Sequence, residues 1–181
     1  MNIITITGNK PMELNIRNEK DERIRYIKKA IRQRVEALLD NGLEWVIISG
    51  QMGVELWAGE IVLQLKKDYP IKLAMIPPFL DVESRWPEHY QQQFQQVASG
   101  ADFYKPLHNQ TYQSRSQFIQ KDYWLIHKTD GCVILVDEEY PGSVKYFMDK
   151  AKSAQESTNY IIQLITPLDL EELVREESDD M

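Results

Sequence analysis

The chain has 181 residues, 43% of them hydrophobic, a length and apolar share that suit one domain with its own core rather than a disordered segment. Its formal charge is −7, but seven acids and one base lie from Asp169 onward, which leaves residues 1–168 at −1, without the broad basic surface of a general DNA binder. No apolar run approaches the roughly 20 residues of a membrane-spanning helix, and Met1 to Gly8 lack a basic leader or cleavage pattern, so a cytoplasmic protein is expected.

The first strand is predicted at Ile3–Thr7. Ile24, Ile27, Ile31, Val35 and Leu38 then mark one face of a helix over Asp21–Asn41, with Gly42 where a C-cap belongs. A second strand, Trp45–Ser49, precedes a helix whose stripe is Val54, Trp57, Ala58, Ile61, Val62 and Leu65. Ile71–Ile76 is the third strand. Helical spacing returns after Pro87 at Tyr90, Phe94, Val97 and Ala98, followed by a short strand candidate at Asp102–Tyr104. Ser114 and Gln117 have capping-box spacing and open a helix carrying Ile119, Tyr123 and Ile126. Cys132–Val136 is the fifth strand, Val144, Phe147, Met148 and Ala151 mark the next helix, and Tyr160–Ile165 is the sixth strand. Leu168–Arg175 reads as a last short helix, with the acidic end 176–181 expected to fray. Continuously apolar strands alternating with helices predict an α/β fold, a mostly parallel sheet covered on both faces, in one domain over 1–175.

Ligands of such sheets gather at the carboxyl ends of the strands. Three of those ends carry glycine: Gly8-Asn9-Lys10-Pro11, Ser49-Gly50-Gln51-Met52-Gly53-Val54-Glu55, and Tyr140-Pro141-Gly142-Ser143. Gly50 and Gly53 permit positive φ and close approach to the backbone, and the helix that follows offers free N–H groups to an anion. Such a terminus contributes about 0.3–2 kcal/mol to anion binding, so further contacts are required. Lys10, Lys145, Gly142 and the Ser143 hydroxyl are candidates for phosphate, and Trp57 and Tyr146 for a base. Equally, glycines serve tight turns, Trp57 lies on a core stripe, and Glu55 in a first helical turn stabilises the dipole without any ligand. Beside an anion, Glu55 fits best as an acceptor for ribose hydroxyls.

Other chemistries find less support. Cys132, the only cysteine, sits in an apolar run and reads as a small buried hydrophobe. His89, His108 and His127 share no ligand spacing, so no metal is predicted. Neither a Walker A sequence nor Gly-x-Gly-x-x-Gly nor Gly-x-Ser-x-Gly occurs. The basic run from Arg17 to Arg34 reads as a solvated helix face or a partner contact, and Pro77–Pro87 as a stiff aromatic lid or wall.

The stretch Ser49–Trp57 (SGQMGVELW), joined to Ile6–Pro11 (ITGNKP), with Trp45, Pro77, Phe79 and Tyr140-Pro141-Gly142-Ser143 followed by Lys145-Tyr146, resembles the YpsA family of Gram-positive bacteria. The resemblance covers the chain apart from its acidic end. It implies a Rossmann-like fold in a superfamily that also includes DprA and the LOG phosphoribohydrolases, with nucleotide, ADP-ribose or NAD-type ligands and a link to cell division. Gly53, Glu55 and Trp57 would then matter most, and a homodimer is the family-level expectation. Against the PGGxGTxxE motif of the LOG enzymes, Pro141–Asp149 keeps Pro-Gly and a terminal acid but has Ser143, Lys145 and Tyr146 at the other positions.

The expected function is binding or sensing of a nucleotide-like ligand, with a protein partner of the division machinery as output. The expected site comprises Gly8, Lys10, Gly50, Gln51, Gly53, Glu55, Trp57, Pro141, Gly142, Ser143 and Tyr146. The alternatives are a nucleotide N-glycosidase using Glu55 or Asp149 as acid–base group, and an adaptor whose glycines are only turns.

Overall fold

A computed structural model describes residues 1–180; Met181 lies outside them. All six predicted strands form, each within a residue or two of its expected bounds: β1 Ile3–Gly8, β2 Trp45–Ile48, β3 Lys72–Met75, β4 Phe103–Tyr104, β5 Gly131–Leu135 and β6 Ile161–Ile165. Every pairing is parallel, in the order β4-β3-β2-β1-β5-β6. The chain winds outward from β1 through β4, then returns to lay β5 against the other side of β1. That reversal leaves a crevice beyond the carboxyl ends of β1 and β5.

Six α-helices join and cover the strands: α1 Glu22–Leu39, α2 Val54–Leu65, α3 Glu88–Gly100, α4 Ser116–Lys128, α5 Val144–Thr158 and α6 Pro167–Asp179. Alternate strand residues point to opposite layers. Ile4, Ile6, Val46, Ile48, Leu73 and Met75 meet one buried cluster, with Ile31 of α1, Trp57 of α2, Phe94 of α3 and Leu173 of α6. Ile47, Ala74, Cys132 and Ile134 meet the other, with Leu125 of α4 and Phe147 and Met148 of α5. Cys132 is buried as expected, and burial pushes its thiol up to about 12.

Two local expectations need correction. The capping box at α4 is half formed: Gln117 Oε1 accepts from the Ser114 N–H at 3.2 Å and the Gln113 N–H at 2.7 Å. The Ser114 hydroxyl, however, meets Ser116 Oγ, and the helix begins two residues later than Ser114. The last helix does not stop at Arg175 but runs to Asp179. A true capping box between Thr166 and Asp169 starts it, and an Arg25–Glu177 ion pair at 2.7 Å ties its acidic end to α1.

The same pairing explains the basic run. Lys28 meets Glu60 at 2.8 Å, Arg32 meets Glu36 at 3.2 Å, and Arg34 donates to the Leu164 carbonyl at 2.9 Å. Much of the basic charge on α1 is therefore matched by acids of its own helix and its neighbours. No helix among the described residues is long and apolar enough to cross a membrane.

Candidate ligand-binding cleft

The sequence from Gly50 to Glu55 is folded to hold the sheet edge together. Glu55, buried in the first turn of α2, accepts four hydrogen bonds. Its Oε1 receives the Ser49 N–H at 2.9 Å, the Ser49 hydroxyl at 2.7 Å and the Gly50 N–H at 3.1 Å; its Oε2 receives the Thr7 hydroxyl at 2.9 Å. One carboxylate thus joins the ends of β1 and β2 to the start of α2. Both oxygens are engaged within the chain.

Gly53 has φ +95° and ψ −131°, a conformation open to glycine alone. A Cβ there would lie 2.5 Å from the Asn9 carbonyl and 2.9 Å from Pro11 Cδ. The close approach that requires glycine is to the loop after β1, and the Val54 N–H donates to Asn9 O at 3.2 Å across the same contact. Trp57 is 0% exposed and offers no face to a ligand; its indole N–H points to Glu19 at 3.3 Å. The role as a base platform is corrected to core packing, because its position on the apolar stripe places it under the sheet.

The start of α5 is also occupied. Glu13, from a 3₁₀ turn at Pro11–Leu14, accepts the Ser143 N–H at 2.7 Å, the Ser143 hydroxyl at 2.8 Å and the Lys10 N–H at 3.0 Å. Gly142 (φ +60°) presses against the same carboxylate, and Asn9 Nδ2 donates to Pro141 O at 3.0 Å. Burial raises the Glu13 carboxyl, but the hydrogen bonds from Ser143 and Lys10 and the Lys10 charge outweigh it and hold the group below its ordinary value.

Beyond these latches lies an open cleft of about 550 Å³ at the β1/β5 switch point. Of the residues expected from sequence, Gly8, Lys10, Gln51, Glu55, Ser143 and Tyr146 line it. Gly50, Gly53, Pro141 and Gly142 do not, and shape the loops behind its floor; nor does Trp57, which lies in the core. Asp149 is exposed on α5 and is not part of the lining either.

The opposite wall was missed by sequence reasoning. Helix α4 contributes Phe118, Ile119, Lys121, Asp122 and Tyr123, Arg115 stands just before it, and α5 adds Lys150. Ile119 is 43% exposed, Tyr123 59% and Tyr146 59%, so this wall presents apolar surface to whatever enters. Asp122 is instead buried, beside Lys121 Nζ at 2.7 Å and Lys150 Nζ at 3.3 Å. The signal in the sequence was a helix whose apolar residues, Ile119 and Tyr123, flank a Lys-Asp pair. No residue of Pro77–Pro87 lines this cleft; Phe79 is buried with its ring 5.3 Å from Phe118 and 5.5 Å from Tyr112, so the segment packs behind α4.

Lining cations (Lys10, Arg115, Lys121, Lys150) outnumber the lining acids Glu55 and Asp122. The floor is polar, and the α4 wall sets apolar Phe118, Ile119 and Tyr123 beside charged Arg115, Lys121 and Asp122. Among the described residues, no cluster of His, Cys, Asp or Glu is arranged to hold a metal ion.

A six-stranded parallel sheet of this order, with its cleft at the strand-order reversal, defines a Rossmann-like α/β protein. The family model described as the YspA SLOG family matches residues 4–170. The chain belongs to this family. A UPF0398 protein of Oceanobacillus iheyensis is 48% identical over 97% of this chain and 95% of its own length. The UPF0398 protein YpsA of Bacillus subtilis is 44% identical over 98% and 99%, and a UPF0398 protein of Listeria innocua 42% over 97% and 97%.

Proposed function

We propose that the switch-point cleft binds a nucleotide-like ligand, of the ADP-ribose or NAD type that the family resemblance implies, and that a protein partner reads its occupancy. The supporting observation is the pairing of excess positive charge with exposed Ile119, Tyr123 and Tyr146 in one cleft of nucleotide size. A phosphorylated nucleoside needs both, cations for its phosphates and flat apolar surface for its base. Cell-division control is the proposed setting, again through the family resemblance. Hydrolysis has weaker support: Glu55 is committed to four internal donors, and Asp149 is exposed outside the cleft lining.

A thermal-shift series with AMP, ADP, ADP-ribose and NAD tests this reading. Ligand at about 100 times its Kd stabilises the native state by about 2.7 kcal/mol, which raises Tm by roughly 5–10 °C in a domain of this size. Tyr146→Ala, at an exposed position, should fold normally and lose part of the shift. Absence of any shift up to millimolar ligand would refute nucleotide binding.

A further inference from the structure

The two helix starts that the glycine loops suggested for phosphate are already filled from within the chain. At α5 the Ser143 N–H and hydroxyl both donate to Glu13. At α2 the Val54 N–H donates to Asn9 O, and Ser49 and Gly50 donate to Glu55. An incoming anion would have to displace a carboxylate or a carbonyl at either place.

Across the cleft the balance is reversed. The Lys121 and Lys150 side chains are each only 15% exposed, and Asp122 between them is 9% exposed. Lys150 Nζ donates to Asp122 Oδ2 at 3.3 Å and to the Tyr146 carbonyl at 3.2 Å. Lys121 Nζ stands 2.7 Å from Asp122 Oδ1, yet that buried oxygen has no aligned hydrogen-bond donor. Two mostly buried lysine side chains therefore share one carboxylate and leave one positive charge unmatched. Buried charge without a counterion is costly, and an arriving anion relieves that cost. Tyr123, whose ring lies 5.6 Å from Lys150 Nζ, and Tyr146 border the same cleft.

We propose that Lys121 and Lys150 form the phosphate-recognition site of the cleft, taking a pyrophosphate or a nucleoside diphosphate between α4 and α5. This rests on the nucleotide reading above and moves its anion contacts from the glycine loops to the α4 wall. The diphosphate meets the two lysines, and its nucleoside lies along Ile119, Tyr123 and Tyr146.

Calorimetric titration with pyrophosphate, ADP and adenosine tests the assignment. Lys121→Gln and Lys150→Gln should each weaken pyrophosphate and ADP binding by about tenfold or more, the worth of a lost charge-assisted hydrogen bond. Lys150→Arg should retain most of the affinity, and Lys152→Gln, exposed on α5 outside the cleft lining, should stay within about twofold of wild type. Because a lysine variant removes an ion-pair partner of buried Asp122, the wild-type protein labelled with ¹⁵N is titrated with pyrophosphate as well. Amide shifts should centre on Lys121 to Tyr123 and Lys150, not on Gly142 to Val144. Loss of binding in Ser143→Ala with Lys121→Gln and Lys150→Gln unaffected would overturn the assignment and leave the nucleotide reading standing. Adenosine binding as tightly as ADP would overturn it too, since no phosphate would then be read. If neither pyrophosphate nor ADP binds, the lysine assignment falls, and the ADP-ribose and NAD arms of the thermal-shift series decide the nucleotide reading separately.

Discussion

Replacing Glu55 tests whether its first role is structural. In the wild type its carboxylate receives two backbone N–H groups and two hydroxyls in a buried setting. Glu55→Ala strands the Ser49 and Gly50 N–H groups at about 1–3 kcal/mol each. The Thr7 and Ser49 hydroxyls can turn to other acceptors, so they add less, and the truncation also leaves a small void. The expected loss is about 3–5 kcal/mol, or roughly 10 °C in Tm. Glu55→Gln is much milder. Its amide oxygen can keep the three bonds from Ser49 and Gly50, and its amide nitrogen can donate to Thr7 Oγ1, which needs only to rotate its proton. Only charge assistance is lost, about 1–2 kcal/mol. Urea denaturation with unchanged m-value measures both. A Glu55→Ala loss under about 1 kcal/mol, or a Gln variant as unstable as the Ala variant, would refute the latch.

Gly53→Ala should destabilise by about 2–3 kcal/mol, since its φ is positive and its Cβ would strike Asn9 O; urea unfolding equal to wild type would contradict this. Cys132, with its thiol pushed up to about 12 by burial, should resist Ellman's reagent at pH 8 until denaturant is added, and rapid labelling of the folded protein would exclude the packing described. Glu13→Gln should cost about 0.5–1 kcal/mol at pH 7, as for a charge at a helix N-terminus. Because the folded carboxyl sits below its unfolded value of 4.5, that contribution is present above pH 4.5 and disappears as pH falls through the lower folded value. Wild type and variant should therefore converge in stability in acid, and a gap that persists there would count against the Glu13 cap.

The sheet was legible because β2 and β5 are apolar on successive residues, the mark of strands covered on both faces, while β1 interleaves isoleucine with threonine and β3 opens on Lys72. The α2 stripe likewise marked Trp57 as core. Two other features were hidden by their dependence on distant residues. Helix α6 outran its expected end because Glu177 meets Arg25, a partner 152 positions away. Helix α4 inverts the usual pattern by burying Asp122 while exposing Ile119 and Tyr123, a choice explained by Lys121 beside it and by Lys150 from the next helix, which the sequence did not place there. The glycine loops were conspicuous for a related reason. Positive φ and close backbone approach show in sequence as glycine, whether the approaching group is a ligand or, as at Gly53, the chain itself.

That ambiguity decides how variants of the loop should be interpreted. Glu55 and Gly53 hold β1, β2 and α2 in register, so a substitution there can lower ligand binding by loosening the floor of the cleft without removing any ligand contact. Lys150→Gln and Tyr146→Ala act from the other wall and leave the Glu55 latch and the Gly53 turn in place. If loop and wall variants lose affinity equally but only the loop variants lose stability, the loops serve as support and the wall provides the contacts. If Glu55→Gln keeps its stability and still abolishes binding while the wall variants bind normally, Glu55 itself meets the ligand, and the carboxylate must release at least one of its four donors to do so.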